Sequence, residues 1–450
     1  MGLGGGTFIS QNKILPGAYV NFVSAARAST ELSDRGIATI PLALDWGSLG
    51  EVVEVSAAEF RERSLMLFGY GYDDEKLKCL RDLFRNTRTA YLYRLGSDGR
   101  VASNEYATAR HAGARGNDLC VVIATNPDDA SKKDVMLYLD AALVDRQTVA
   151  SAGELAGNGY VAWDPEAGLQ DTAGSRLSGG SSPDITIADY QAYLDKIESY
   201  AFNAIGCPAG DQNLKGLFAA FTRRMRDEQG MKFQCVLYNP EACSDYEGIV
   251  DVLNKAGGGE GAGAGAGGDG QGGADAWGLV YWTVGVVAGT AVNASATNKA
   301  YDGEYVPDTG YTQSQLESAI KAGKFTFHRV GGDIRVLSDI NSLVGTTEAK
   351  GAEFKENQTI RVIDEIANNI AVLFNKKYIG AIANDADGRI SLWSDIVAMH
   401  ERLQAVRAIE GFSSGDVEVL PGEAKRAVVV NGLVTPVNAM SQLYMTVRVN

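Results

Sequence analysis

Apolar positions along this chain recur with two periods, and stretches of each alternate. Residues 36–46 are an almost unbroken apolar run, punctuated by Pro41, which predicts a buried strand. Ser56 and Glu59 form a capping box that opens a helix to about Phe68, and Gly69 stands at its stop. A second helix is expected over 73–86, with Leu77, Leu80, Leu83 and Phe84 on one face, followed by a strand at 89–95. The pattern changes between about 97 and 173. Residues 119–125, 134–139 and 143–149 read as close-spaced strands with short turn-like joins, which predicts a small antiparallel sandwich inserted into an α/β domain. Helix and strand alternate again from 187. A helix at 187–199 precedes a strand at 201–207. Asp211 caps a helix running to Gln229 and stopped by Gly230, and 233–238 is the next strand. Alternation of this length implies parallel strands. A buried helix is expected at 277–292. Thr312 and Gln315 cap a helix that stops at Gly323, and 325–330 with 334–337 make a hairpin through a glycine turn.

From about residue 345 the pattern is helical. Ile363, Ile366, Ile370 and Leu373 mark a helix at 358–375; Leu392, Ile396, Met399, Leu403 and Val406 mark another at 391–409. Residues 417–420, 427–430 and a terminal strand are expected to form a short sheet against them. That last strand alternates strictly: Leu443, Met445, Val447 and Val449 point one way, Tyr444, Thr446, Arg448 and Asn450 the other. It must pair, within its own domain or with a neighbour, because unpaired backbone groups are costly if buried and sticky if exposed. The other end begins with the flexible 2–6, then an extended segment at 14–23 in which Pro16 fits only an edge or a strand start.

Composition narrows the function. A chain of 450 residues exceeds one core, so several domains are expected. Its formal charge of −15 argues against duplex nucleic acid and anionic membrane as partners. Five cysteines without a Cys-x-x-Cys argue for free thiols in a reducing compartment rather than a disulfide framework or zinc site. The start carries no secretory pattern, and 276–292 is too short and glycine-interrupted to span a bilayer. Residues 255–273, almost all Gly and Ala, read as a surface loop without chemistry of its own. Three histidines restrict catalysis. His111 sits in a glycine-rich loop, His328 on a strand as a solvent-facing or edge residue, and His400 in a helix without a His-Glu-x-x-His. No nucleophile elbow or phosphate-binding loop occurs, and the acidic pairs lie in polar turns. No catalytic residue, cofactor or metal site is expected.

Four strings carry a resemblance: Pro-Gly-Ala-Tyr-Val-Asn-Phe at 16–22, the block around Leu-Val-Asp-Arg-Gln-Thr-Val at 143–149, 288–304, and 377–393. With Thr-Pro-Val-Asn-Ala-Met-Ser-Gln-Leu-Tyr-Met-Thr-Val at 435–447, they resemble the contractile phage tail sheath proteins of Gram-positive phages, prophages and phage-tail-like bacteriocins. The resemblance implies a multidomain α/β fold. Its parts would be an N-terminal arm (1–27), the first part of a subtilisin-like α/β domain without an active site (28–96), an inserted β-sandwich (97–176), the main α/β domain (177–344, with a glycine-rich loop at 256–274) and an α+β C-terminal domain (345–450). It implies a structural subunit, not an enzyme, that stacks as hexameric rings around a tail tube and contracts to drive the tube through a cell envelope. Its partners would be further copies, the tube, baseplate and tail terminator proteins, and its place the virion tail after assembly in the host cytoplasm. Strand exchange between subunits is expected at Ala18, Tyr19, Val20, Phe22, Leu443, Tyr444, Met445, Thr446, Val447, Arg448 and Val449. Contact with the tube is expected at Lys376, Lys377, Asp395, Glu401 and Arg402. The alternatives are a sheath of another contractile injection system or a hydrolase on the α/β domain.

Overall fold

The computed structural model describes residues 35–240, 245–257 and 274–449. The arm positions at 18–22, Cys243 and most of the glycine-rich loop lie outside them.

The first three strands are β1 (Ile37–Leu42), β2 (Val52–Ser56) and β3 (Thr89–Arg94). Between β2 and β3 lie α1 (Ala57–Phe68) and α2 (Lys78–Phe84). Ser56 and Glu59 exchange the capping-box bonds, and Gly69 ends α1 at φ 77°. A Cβ on Gly69 would stand 2.8 Å from the Trp46 ring, so both conformation and space require glycine there. The helix expected at 73–86 starts as a 3-10 turn at Glu75–Leu77 before becoming α2.

The insert comprises β4 (Ala107–Ala109), β5 (Leu119–Thr125), β6 (Lys133–Leu139), β7 (Ala142–Val149), β8 (Val161–Trp163) and β9 (Thr172–Arg176). Four of these make an antiparallel sheet in the order β7-β6-β5-β9, and β4 pairs with β8. Val121, Ile123, Val135 and Leu137 pack between them, closed by Trp46 from the central domain.

The chain then returns through α3 (Ile187–Ile197), β10 (Ala204–Cys207), α4 (Gln212–Arg223), β11 (Gln234–Tyr238) and β12 (Ile249–Val252). The Asp211 carboxylate accepts from Asn213 and Leu214 at the start of α4. Short β13 (Ala256–Gly257) pairs with β14 (Val306–Pro307), and between them runs α5 (Leu279–Gly289). After α6 (Gln313–Lys321) come β15 (Lys324–Phe325) and the hairpin β16 (Phe327–Val330) and β17 (Asp333–Val336).

The central sheet has seven strands in the order β15-β12-β11-β10-β1-β3-β2. Every neighbouring pair is parallel except β2 with β3, so the sheet is mixed, with an antiparallel edge that the hydrophobic pattern had not announced. β1 pairs with β10 only through Ala38 and Thr39. Pro41 therefore has a strand on one side only, where a missing N–H is tolerated. Helices cover both faces. Ala204, Val236, Val250 and Val252 pack with α1, α2 and α5, while Ile205, Cys207, Cys235 and Leu237 pack with α3 and α4.

The final region holds α7 (Asn357–Leu373), α8 (Ala386–Ala405), β18 (Val417–Pro421) and β19 (Val428–Gly432). α8 starts five residues before the expected 391, because Asp385 caps it by accepting from Gly388 N–H. The short sheet is two-stranded: the terminal segment does not join it.

Candidate assembly surfaces

The terminal segment is fastened for a few residues and then let go. Glu410 N–H donates to Thr435 O (3.0 Å), Val437 N–H to Ala408 O (3.0 Å), and Ala439 N–H to the Gln358 side chain (2.9 Å). Beyond Ala439 no backbone hydrogen bond ties 440–449 to the described residues. The apolar side of the predicted alternation lies in solvent, with Leu443 86% and Val449 90% exposed, and Tyr444 and Met445 nearly as open. The sequence-predicted exchange residues Leu443, Tyr444, Met445, Thr446, Val447, Arg448 and Val449 thus form one exposed run without a strand partner among the described residues. Alternating strands owe their pattern to a partner, and none of the described residues supplies one. Nearby, the β18–β19 hairpin has two outer edges that no described strand covers, and Leu420 and Val430 on it are exposed.

The five positions expected to grip a tube lie on the α7–α8 unit. Lys376 and Lys377 are exposed on the π-helical turn Phe374–Tyr378, Asp395 is half-buried on α8, and Glu401 and Arg402 are exposed one turn before its end. Two of them are brought together: Lys377 Nζ stands 2.6 Å from Asp395 Oδ2, which also accepts from Tyr378 OH. The bond from Asp395 holds the Lys377 ammonium above its ordinary value. Lys376, Glu401 and Arg402 have no hydrogen bond or ion pair from their side chains among the described residues.

Sequence reasoning missed how the C-terminal helices attach to the central sheet. Arg226, on the π-helical turn Arg224–Glu228 that follows α4, forms a two-pronged pair with Asp364 on α7 at 2.7 and 2.8 Å, both groups buried. Burial pulls the guanidinium down, but the Asp364 charge more than offsets it and the net shift is upward. Arg361 pairs with Asp339, which also accepts from Asn357 (3.0 Å), and Asn357 in turn accepts from Gln234 (2.7 Å) at the start of β11. Asn368 exchanges two bonds with the Lys232 backbone, at 3.0 and 2.8 Å. Such pairs add little net stability over an apolar contact, yet removing one partner leaves a buried charge at a cost of about 3–5 kcal/mol. They therefore fix the orientation of α7 on the sheet.

The three histidines lie in separate elements. His111 packs edge-on to Trp46, His328 is half-buried on β16, and His400 is fully buried with Nδ1 2.7 Å from Ile396 O and its ring stacked on Phe412. No group of metal-ligating side chains occurs among the described residues. Cys79, Cys120, Cys207 and Cys235 are free thiols, and no described helix is long and apolar enough to cross a membrane.

Profiles described as the phage tail sheath protein central domain, C-terminal domain and beta-sandwich domain match residues 184–342, 349–450 and 97–184. The tail sheath protein Gp18 domain III N-terminal region matches 35–95. The phage-like element PBSX protein XkdK of Bacillus subtilis is 32% identical over 482 residues, covering all of both chains. The crystal structure of a sheath tail protein from Desulfitobacterium hafniense is 34% identical and superimposes with a TM-score of 0.79, over 96% of this chain and all of that one. The helical sheath of the anti-feeding prophage in its contracted state shares the fold alone, at 10% identity and a TM-score of 0.54 over 97% and 99% of the two chains. Relatedness over the whole length leads to one conclusion: the chain belongs to the phage tail sheath protein family, the sheath proteins of phages and contractile injection systems.

Proposed function

We propose that this protein is a structural, non-catalytic subunit that stacks as hexameric rings around a tail tube and shortens to drive the tube through a cell envelope. The observation that carries this reading is the 440–449 run, patterned as a half-buried strand yet unpaired and in solvent. Its partner is a second copy, and the open edges of the β18–β19 hairpin are where it would add. The positions Ala18, Tyr19, Val20 and Phe22 act as the second arm. Links made of backbone hydrogen bonds persist while globular surfaces slide, which is what a contracting lattice needs. The likeness to a helical sheath captured in its contracted state supports the same reading.

In this reading the chain divides into arm, split α/β domain, inserted sandwich and C-terminal domain at about 27, 96, 176 and 344. The C-terminal domain lies against the tube and the sandwich outermost. Lys376, Lys377, Asp395, Glu401 and Arg402 form the gripping face, since polar, hydrated contacts orient a subunit yet release when the sheath widens. Baseplate and terminator proteins bound the stack, which assembles in the host cytoplasm and ends in the virion tail. Electron microscopy of the purified protein tests the reading: tubes or stacked rings are expected, and a strictly monomeric protein at high concentration, with or without tube, would overturn it.

A further inference from the structure

We infer that Lys324 and Asn239 join in a covalent amide cross-link, which the chain forms on itself with Asp251 as the catalytic carboxylate. This goes beyond the sheath reading and does not depend on it. The three residues meet at the carboxyl ends of β11 and β12. Asp251 lies on β12, Lys324 opens the edge strand β15 as its register partner, and Asn239 directly follows β11 on the other side. Lys324 Nζ stands 2.6 Å from Asp251 Oδ2 and donates to Asn239 Oδ1 at 2.9 Å. The Asn239 Cγ lies about 1.2 Å behind that oxygen, so the amine reaches it by a small rotation about the side chain. The backbone holds Asn239 in place: its N–H donates to Val252 O (3.0 Å), and its φ of 40° is one that asparagine tolerates.

Burial separates this group from a surface ion pair. Asp251 is fully buried, its Oδ1 has no partner among the described residues, and the Lys324 side chain is 19% exposed. Burial raises the Asp251 carboxyl to about 6 against the pull of the Lys324 charge, which makes it a stronger base toward the ammonium than a surface carboxylate. Asp251 takes one proton from the Lys324 ammonium, and the neutral amine forms the Nζ–Cγ bond. A second Nζ proton moves to Nδ2, the Cγ–Nδ2 bond breaks, and ammonia leaves as ammonium with the proton held on Asp251. The carboxylate is restored, and no oxidant, reductant or other reactant is consumed. Fixed geometry supplies the rate, since well-oriented groups react as if at about 100,000 M or more. β12 and β15 pair through two residue pairs only, and the cross-link ties this short edge strand across β12 to the end of β11.

Intact-mass spectrometry of the purified full chain tests the assignment. A mass about 17 Da below that of the unmodified chain is expected, one ammonia lost. Proteolysis should release a branched peptide that joins the segments around 239 and 324. Lys324→Arg, which keeps a positive charge beside Asp251, should restore the full mass. Asp251→Ala, folded by circular dichroism, should restore it too, although both joined residues remain. The inference is overturned by the unaltered protein keeping its full mass after prolonged incubation at neutral pH, a result that needs no variant to fold. It is overturned equally by a deficit that survives Lys324→Arg, which would be an asparagine succinimide, or by folded Asp251→Ala that still cross-links. A deficit of about 18 Da with the branch at Asp251 would also overturn it, since water rather than ammonia would have left.

Discussion

Lys232 carries its ammonium into the contact between α7 and the central sheet, where Nζ donates to Arg226 O at 2.5 Å. Burial, and then the Arg226 charge, lower its pKa to about 8 from an ordinary 10.5. The folded protein thus releases this proton before the unfolded chain does, so stability is reduced below about pH 8 and rises as pH increases through 8 to 10.5. Lys232→Met should flatten that rise and be the more stable protein at pH 7.5, by on the order of 1–3 kcal/mol. Urea unfolding at pH 7.5 and 9.5 checks this, and an unchanged difference between the two pH values would rule it out. On the surface, reversing Lys376 and Lys377 to Glu should weaken tube-templated assembly, as should raised salt for the unaltered protein. Co-sedimentation with tube indifferent to both would remove these residues from the gripping face. The exposure of Lys376, Lys377, Glu401 and Arg402 was legible because charged side chains break the apolar period of a helix. The Arg226–Asp364 pair was not, since its partners lie 138 positions apart and each alone reads as a solvated charge.

Among the elements, α5 is the one whose sequence explains its packing. Gly285 and Gly289 lie one turn apart, and a Cβ on them would stand 2.5 Å from Leu83 O and 1.8 Å from Asn86 O. The glycines let α5 approach α2 until backbone meets backbone, beneath the sheet. Gly285→Ala would gain about 1 kcal/mol of helix propensity but forces the helices apart, which costs about 1–3 kcal/mol or more. The melting temperature should fall. Gly216 on α4 faces open space, so Gly216→Ala should instead hold or raise it. If both substitutions stabilise, the close contact has no energetic role. Helices with capping boxes at Ser56 and Thr312 start where expected, because a cap is a local bond between residues three apart. The antiparallel edge β2 escaped because Val52–Ser56 is short and takes its pairing from β3, more than thirty residues on.

For the whole molecule, the test is truncation. Removing 444–450 takes away no backbone hydrogen bond to the described residues and, beyond the bond from Tyr444 OH to the exposed Gln442 side chain (2.9 Å), no side-chain hydrogen bond to them, so the shortened protein should keep its circular dichroism and melting temperature. It should also fail to polymerise, as electron microscopy and light scattering would report. Long tubes from the truncated chain would mean that the link lies elsewhere. What the sequence by itself determined was local: the periods of the helices and strands, their caps, the change to close-spaced strands after 97, and the family strings that carry the resemblance. Alternation at 443–449 likewise announced a strand that needs a partner. Tertiary structure alone decided that the partner is not in this chain's described fold, and that buried ion pairs orient α7 on the central sheet. These depend on which distant groups meet, and free energies of burial and charge pairing are set by that meeting rather than by neighbours along the chain.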